Sequence, residues 1–264
     1  CPSDYTLTRF LDSLTRLHIY LELAEIEARL LLVGWAPGQE EKIRLYLRIA
    51  PIGTRPVELV FWPLNYGKYH LWNDLIQRAS GLSEEYLWYM DHDILPDVRY
   101  VGSHWNNLDS LFRNGTGVVH FNQLEDCRHQ HSIYQNRDEG ETSLVWTNQP
   151  DACASGCFLV PVRIMRDLNP LPRLSAYGLD DYYLSLAFQE KGYKCCVMEK
   201  VFVVHPYSTE NEYQEWKYQT TRALIEKMAG GTRLEDAMAS EGLEQHYQIS
   251  VQESINFWLR HTSC

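Results

Sequence analysis

The stretch EEYLWYMDHDILPDV, residues 84–98, carries an unbroken apolar and aromatic run, Tyr86–Met90, straight into Asp91, His92 and Asp93, with Pro96 just beyond. A short apolar run bounded by polar residues reads as a strand buried on both faces. Two similar runs precede it, RLLLVGW (29–35), closed by APGQ, and VELVFW (57–62). Helical spacing lies around them: Phe10, Leu11, Leu14 and Leu17 share one face, and in KYHLWNDLIQRA (68–79) so do Tyr69, Trp72, Leu75, Ile76 and Ala79. Strands apolar on both faces, separated by helices, require a central sheet covered on both sides. The expectation is an α/β fold with a mostly parallel central sheet flanked by helices.

The second half is less regular. GTGVVHFN (115–122) and GCFLVP (156–161) read as strands, and the polar stretch from Gln123 to Asp151 reads as a long loop of the kind that usually carries function. GLDDYYLSLAFQEKG (178–192) reads as a helix, with acids in its first turn and Gly192 after its last. YKCCVMEKVFVVHP (193–206) then supplies one or two strands that stop at His205. Three further helical patterns, about 210–229, 232–241 and 248–261, form a C-terminal helical extension. The domain expectation is therefore 1–206 and 207–264.

A chain of 264 residues, 45% hydrophobic, can bury one sizeable core. Its net charge of -11 argues against a sequence-independent grip on nucleic acid, which needs clustered Lys and Arg. No run reaches the ~18 apolar residues of a membrane span. With seven cysteines, an odd count in a chain too large to depend on disulfides, a reducing, cytoplasmic setting fits best. Cys127, His129, His131, Cys153 and Cys157 lack a CxxC pair and read as loop or core residues rather than a zinc cluster.

The acidic triplet sits where open α/β sheets bind ligands, at the carboxyl end of a strand. Pro96 and the abrupt end of the strand predict a turn that would gather Asp91 and Asp93. Two hard carboxylates suit magnesium or manganese, which complete their shells with substrate phosphates. Taken alone, D-x-D fits a solvated strand end or a helix cap more readily. The ordered series that follows it is more specific: Gly156, then Asp180-Asp181 heading a helix, then His205 ending a strand.

That series, with Asn65-Tyr66-Gly67 opening the helix before the D-x-D strand, Asn73 further along it, Ser155-Gly156, the frame DDYYL and Lys191-Gly192-Tyr193, resembles the GT-A fold glycosyltransferases, most of all the large family 2. The resemblance runs from about Val57 to Pro206. It implies a Rossmann-like nucleotide-sugar domain in which Asp91, Asp93 and His205 hold Mn2+ or Mg2+. It assigns donor binding to Asn65, Gly67, Lys68, Asp91, Ser155, Gly156 and Asp180, and the base to Asp181. The family's usual first strand would fall at or before Cys1, and Tyr183 stands where an acid is usual.

The activity so implied moves a sugar from a UDP- or GDP-linked donor to a hydroxyl of a glycan, glycolipid or glycoprotein, by inversion with an Asp base. A retaining GT-A transferase or a metal-dependent phosphohydrolase is the alternative. Trp105 and the 123–151 loop would form the acceptor side, Trp35 could stack on a base or lie in the core, and the tail helices would dock internally or form a homodimer.

Overall fold

The computed structural model describes residues 4–34, 40–49, 57–62, 67–92, 94–97, 105, 108–123, 136–138, 144–147, 156–171 and 180–204. Within them the apolar runs become strands and the helical spacings become helices. The first half comprises α1 (Asp4–Leu23), β1 (Leu30–Gly34), α2 (Glu40–Ile49), β2 (Val57–Phe61), α3 (Gly67–Ala79) and β3 (Tyr86–Met90). There follow β4 (Leu95–Pro96), α4 (Leu108–Leu111), β5 (Thr116–Gln123), β6 (Asn136–Asp138) and β7 (Leu144–Thr147). The last described elements are β8 (Cys157–Pro161), α5 (Val162–Asp167), α6 (Asp180–Glu190) and β9 (Lys194–Val204).

The α/β expectation holds, and hydrogen bonding refines it. β1 pairs with β2 in parallel, and β5 pairs with β9 in parallel. β8 lies antiparallel between β3 and β5, and β7 antiparallel beside β9, so the larger sheet runs β3-β8-β5-β9-β7-β6. The stretch expected to be a loop contains a hairpin, β6 with β7, whose second strand joins the sheet and buries Leu144. The expected tail helices and the boundary at 206–207 lie outside the described residues.

Period-two alternation sends neighbouring residues of each strand to opposite faces. Phe158 and Val160 of β8 join Val118 and Cys195 in a core under α3, α5 and α6. Cys157 and Leu159 join Val119, Phe121, Cys196 and Met198 in a second core on the other face. That is why β8 is buried at all five positions, and why its run carries no polar residue. The five residues assigned to one face of α3 are all buried in the first core. Cys157 is a core residue, with the Trp88 indole N–H directed at its sulfur; the other cysteines and histidines of the zinc reading are outside the described residues.

Three contacts fix the elements that carry the site. Arg166 of α5 donates to the carbonyls of Ala79 and Leu82, both at 2.7 Å, capping the C-terminal end of α3. Gly192, at φ 80°, ends α6: its N–H reaches the Gln189 carbonyl and the Tyr193 N–H reaches that of Phe188, the stop that the sequence predicted.

The third is buried Asn73. Its Nδ2 donates to the Leu171 carbonyl at 2.9 Å and its Oδ1 accepts from the Leu171 N–H at 2.6 Å, an amide imitating a strand partner. Asn73→Ala leaves both buried backbone groups unpaired and is expected to lower stability by about 2–3 kcal/mol. Urea denaturation checks this; a loss of a few tenths would mean that the two bonds contribute little.

Candidate active site

The carboxyl end of β3 is built as a tight turn. The Ile94 N–H donates to the Asp91 carbonyl at 3.2 Å, and the Asp91 N–H donates to the Gly156 carbonyl at 2.8 Å, extending the β3–β8 ladder by one residue. Ser13 of α1 donates to the Ile94 carbonyl, and the Ile94 side chain is fully buried. So the chain turns after Asp91, pinned by α1 on one side and Gly156 on the other, while Asp93, which the expected turn would bring to Asp91, lies outside the described residues. His92 is exposed at its tip.

Into this corner α3 delivers its first turn. Gly67 is buried at φ 78°, a left-handed conformation that L side chains resist, and Lys68 follows it. The Lys68 ammonium lies 2.9 Å from Asp91 Oδ2 and 3.5 Å from Asp180 Oδ2. The three side chains are 26%, 19% and 9% exposed, respectively, so the ion triad is largely screened from water. Tyr89 OH donates to Asp91 Oδ1, the oxygen that Lys68 leaves. Tyr89 precedes Asp91 by two residues on an extended strand, hence the same side.

Electrostatics follow from burial and proximity. Burial alone would lower the Lys68 pKa, but Asp91 and then Asp180 outweigh it and hold it well above the ordinary lysine value. A raised folded-state value means that the stability from this pairing is fully present below about 10.5, the ordinary lysine value. It fades only as the pH climbs through the raised one. Burial first, and Asp91 second, push the Tyr89 phenol well up, so it remains a donor across the neutral range. Tyr69, buried under the same corner, is raised by burial and by Asp180, and its ring stands edge-on to that of Tyr183 at 5.9 Å. The position where the resembled family has an acid is thus a core tyrosine here.

The structure brings Gly67, Lys68, Asp91, Gly156, Asp180 and Asp181 to one end of the sheet. Asp181 is half-buried in the first turn of α6 and adds to the field on Lys68. Asn65, Asp93, Ser155 and His205 lie outside the described residues, as does Trp35. Trp105 is half-buried: its ring packs on Trp88 at 5.1 Å against the second core, and its N–H donates to Tyr20 OH at 2.8 Å. Tyr89 is a further residue of the site, signalled in the sequence only by its i, i+2 relation to Asp91.

For a divalent ion the donor chemistry fits, since Asp91 offers hard oxygens and each keeps a lone pair beyond the bond that it accepts. Among the described residues no group of three or more His, Cys, Asp or Glu is placed to hold a metal. None of the helices described is long and apolar enough to cross a membrane.

No known family matches the chain, and no curated protein does. Among solved structures, the crystal structure of GalNAc-T7 with UDP, GalNAc and Mn2+ superposes with TM-score 0.51 at 12% identity, covering 70% of this chain and 38% of that one. HddC from Yersinia pseudotuberculosis aligns at TM-score 0.44 and 14% identity, over 76% of this chain and 82% of that one. A UTP-bound UGPase from Acinetobacter baumannii aligns at 0.41 and 16%, over 72% and 75%. At such identities likeness bears on the fold alone, and the first superposition carries it. The chain has a GT-A-like, Rossmann-like α/β fold, with its candidate site at the carboxyl end of β3.

Proposed function

We propose that the chain is a metal-dependent glycosyltransferase that moves a sugar from a nucleotide-diphosphate sugar to a hydroxyl acceptor by a single inverting displacement. The observation that carries this reading is the convergence of Asp91, Gly156, Lys68 and the Asp180–Asp181 pair at one strand end, in a GT-A-like fold. The GalNAc-T7 structure, which holds UDP, GalNAc and Mn2+, supports the substrate class and the metal.

Asp91, with Asp93 and His205, would hold Mn2+ or Mg2+, which when bound offsets the charge that develops on the leaving diphosphate. In register Val204, the residue before His205, is the partner of Leu95, four residues after Asp91. Lys68 adds a positive charge for the diphosphate. Gly67 and Gly156 give the donor close access to backbone, with Asn65 and Ser155 beside them in sequence. Asp181 takes the proton of the attacking hydroxyl. Asp180, buried and paired with Lys68, orients that lysine. The acceptor is a glycan, glycolipid or glycoprotein; residues 1–206 form the catalytic domain and 207–264 a helical extension.

Incubation with UDP- and GDP-sugars plus manganese, followed by chromatography of the nucleotides, tests the reaction. The expected nucleotide product is an intact nucleoside diphosphate. Release of inorganic phosphate instead would replace the transferase by a phosphohydrolase.

A further inference from the structure

Lys68 occupies an unusual place for a residue assigned to donor binding. Its ammonium sits between two carboxylates of the site, and Tyr89 fixes the orientation of Asp91 by holding its other oxygen. Two acids and one ammonium leave this triad with a net charge of about -1, and Asp181 stands close by. A dication arriving at Asp91 meets an ammonium already within hydrogen-bond distance of the same carboxylate, and the two repel strongly where water is scarce.

We propose that Lys68 is a resident counter-ion that the divalent metal must displace, so that metal alone binds weakly and metal plus nucleotide diphosphate bind together. The proposal rests on the glycosyltransferase reading and deepens it. The lysine stem is unbranched and flexible, so the ammonium can leave Asp91 without disturbing α3. An incoming diphosphate supplies the anionic oxygens to which it turns, while Asp180 remains within its reach. Metal and nucleotide then each remove the cost of binding the other, which is positive coupling between two ligands of one site.

The test is Lys68→Met, which keeps the stem and removes the charge. Manganese binding without nucleotide, read from the paramagnetic resonance signal of free manganese, should tighten by about tenfold relative to wild type. UDP or GDP binding at saturating manganese, read by calorimetry, should weaken by about tenfold. Lys68→Arg, which retains the charge, should show no gain of manganese affinity, so that the gain in Lys68→Met tracks the charge and not the substitution. Unchanged or weaker manganese binding by Lys68→Met overturns the proposal, as does equal loss of both ligands. These readouts need no turnover. Sugar transfer by wild type with no gain of manganese affinity in Lys68→Met would leave the transferase reading standing and remove this one. A gain of manganese affinity in a protein that transfers no sugar would support the counter-ion and remove the transferase.

Discussion

Asp181→Asn should reduce sugar transfer by about 10²–10⁴-fold while leaving donor binding within a few-fold of wild type. The reasoning separates two jobs of one side chain. In the first turn of α6 an acid favours the helix by its charge, and an uncharged amide forgoes roughly 0.3–1 kcal/mol of that. The fold survives the change, because α6 is held by Tyr183, Leu184, Ala187 and Phe188 in the first core. What the amide cannot do is accept a proton. The expected signature is a lower kcat with little change in KM for the donor, and an unchanged rate would remove Asp181 as the base. Asp180→Asn is the informative companion. Asp180 is buried against Lys68 and Tyr69, so its loss should shift the melting midpoint as well as the rate.

Asp91→Asn carries the second large effect, on binding. Asp91 accepts from Lys68 through one oxygen and from Tyr89 through the other, and the proposed metal shares the same carboxylate. An asparagine keeps one acceptor oxygen but presents an NH₂ group to either the ammonium or the phenol, both of which are donors. Manganese-supported donor binding should weaken by at least about 10–100-fold, the range seen even for groups that only support a metal ligand. Stability should fall by about 1–2 kcal/mol, less than the 3–5 typical of a broken buried pair, because Lys68 retains Asp180 and the triad keeps some contact with water. Calorimetry of manganese with UDP or GDP checks the first, and urea denaturation the second. Wild-type affinity in Asp91→Asn would remove the strand end from the site.

Much of this arrangement is legible in the residues themselves. The run Tyr86–Met90, the face of α3 and the Gly192 stop each follow from local rules that tertiary contacts left intact. Strand direction was not legible, since a run buried on both faces looks alike in a parallel or an antiparallel pair; β8 fits between β3 and β5 only by running against both. The helix α2 is hard to read from the sequence. Ile43 and Leu47 are its inward pair, but Leu45 is exposed, so its pattern is weak. In the polar stretch after Gln123, LVWT is too short an apolar run to read against its surroundings, and β9 supplies the pairing that makes it a strand. The ring contacts of Trp105 with Tyr20, Trp88 and Phe121 join residues distant in sequence, which no local pattern announces.

For the candidate site, the order Gly67, Asp91, Gly156, Asp180, Asp181 could be read from sequence, and the structure gathers these residues at one strand end. The ion triad could not, because nothing in the spacing of Lys68, Asp91 and Asp180 sets their distances. Those depend on where α3 and α6 meet in the first core, with the Tyr69 ring edge-on to that of Tyr183.

The most direct test of the central claim is the melting midpoint of the wild-type protein with manganese across a panel of UDP- and GDP-sugars. A ligand that binds only the folded state raises the midpoint by mass action. The account predicts a rise of several degrees for at least one donor, dependent on manganese and much smaller in Asp91→Asn at the same ligand concentrations. No rise with any donor, or one undiminished in Asp91→Asn, would contradict it.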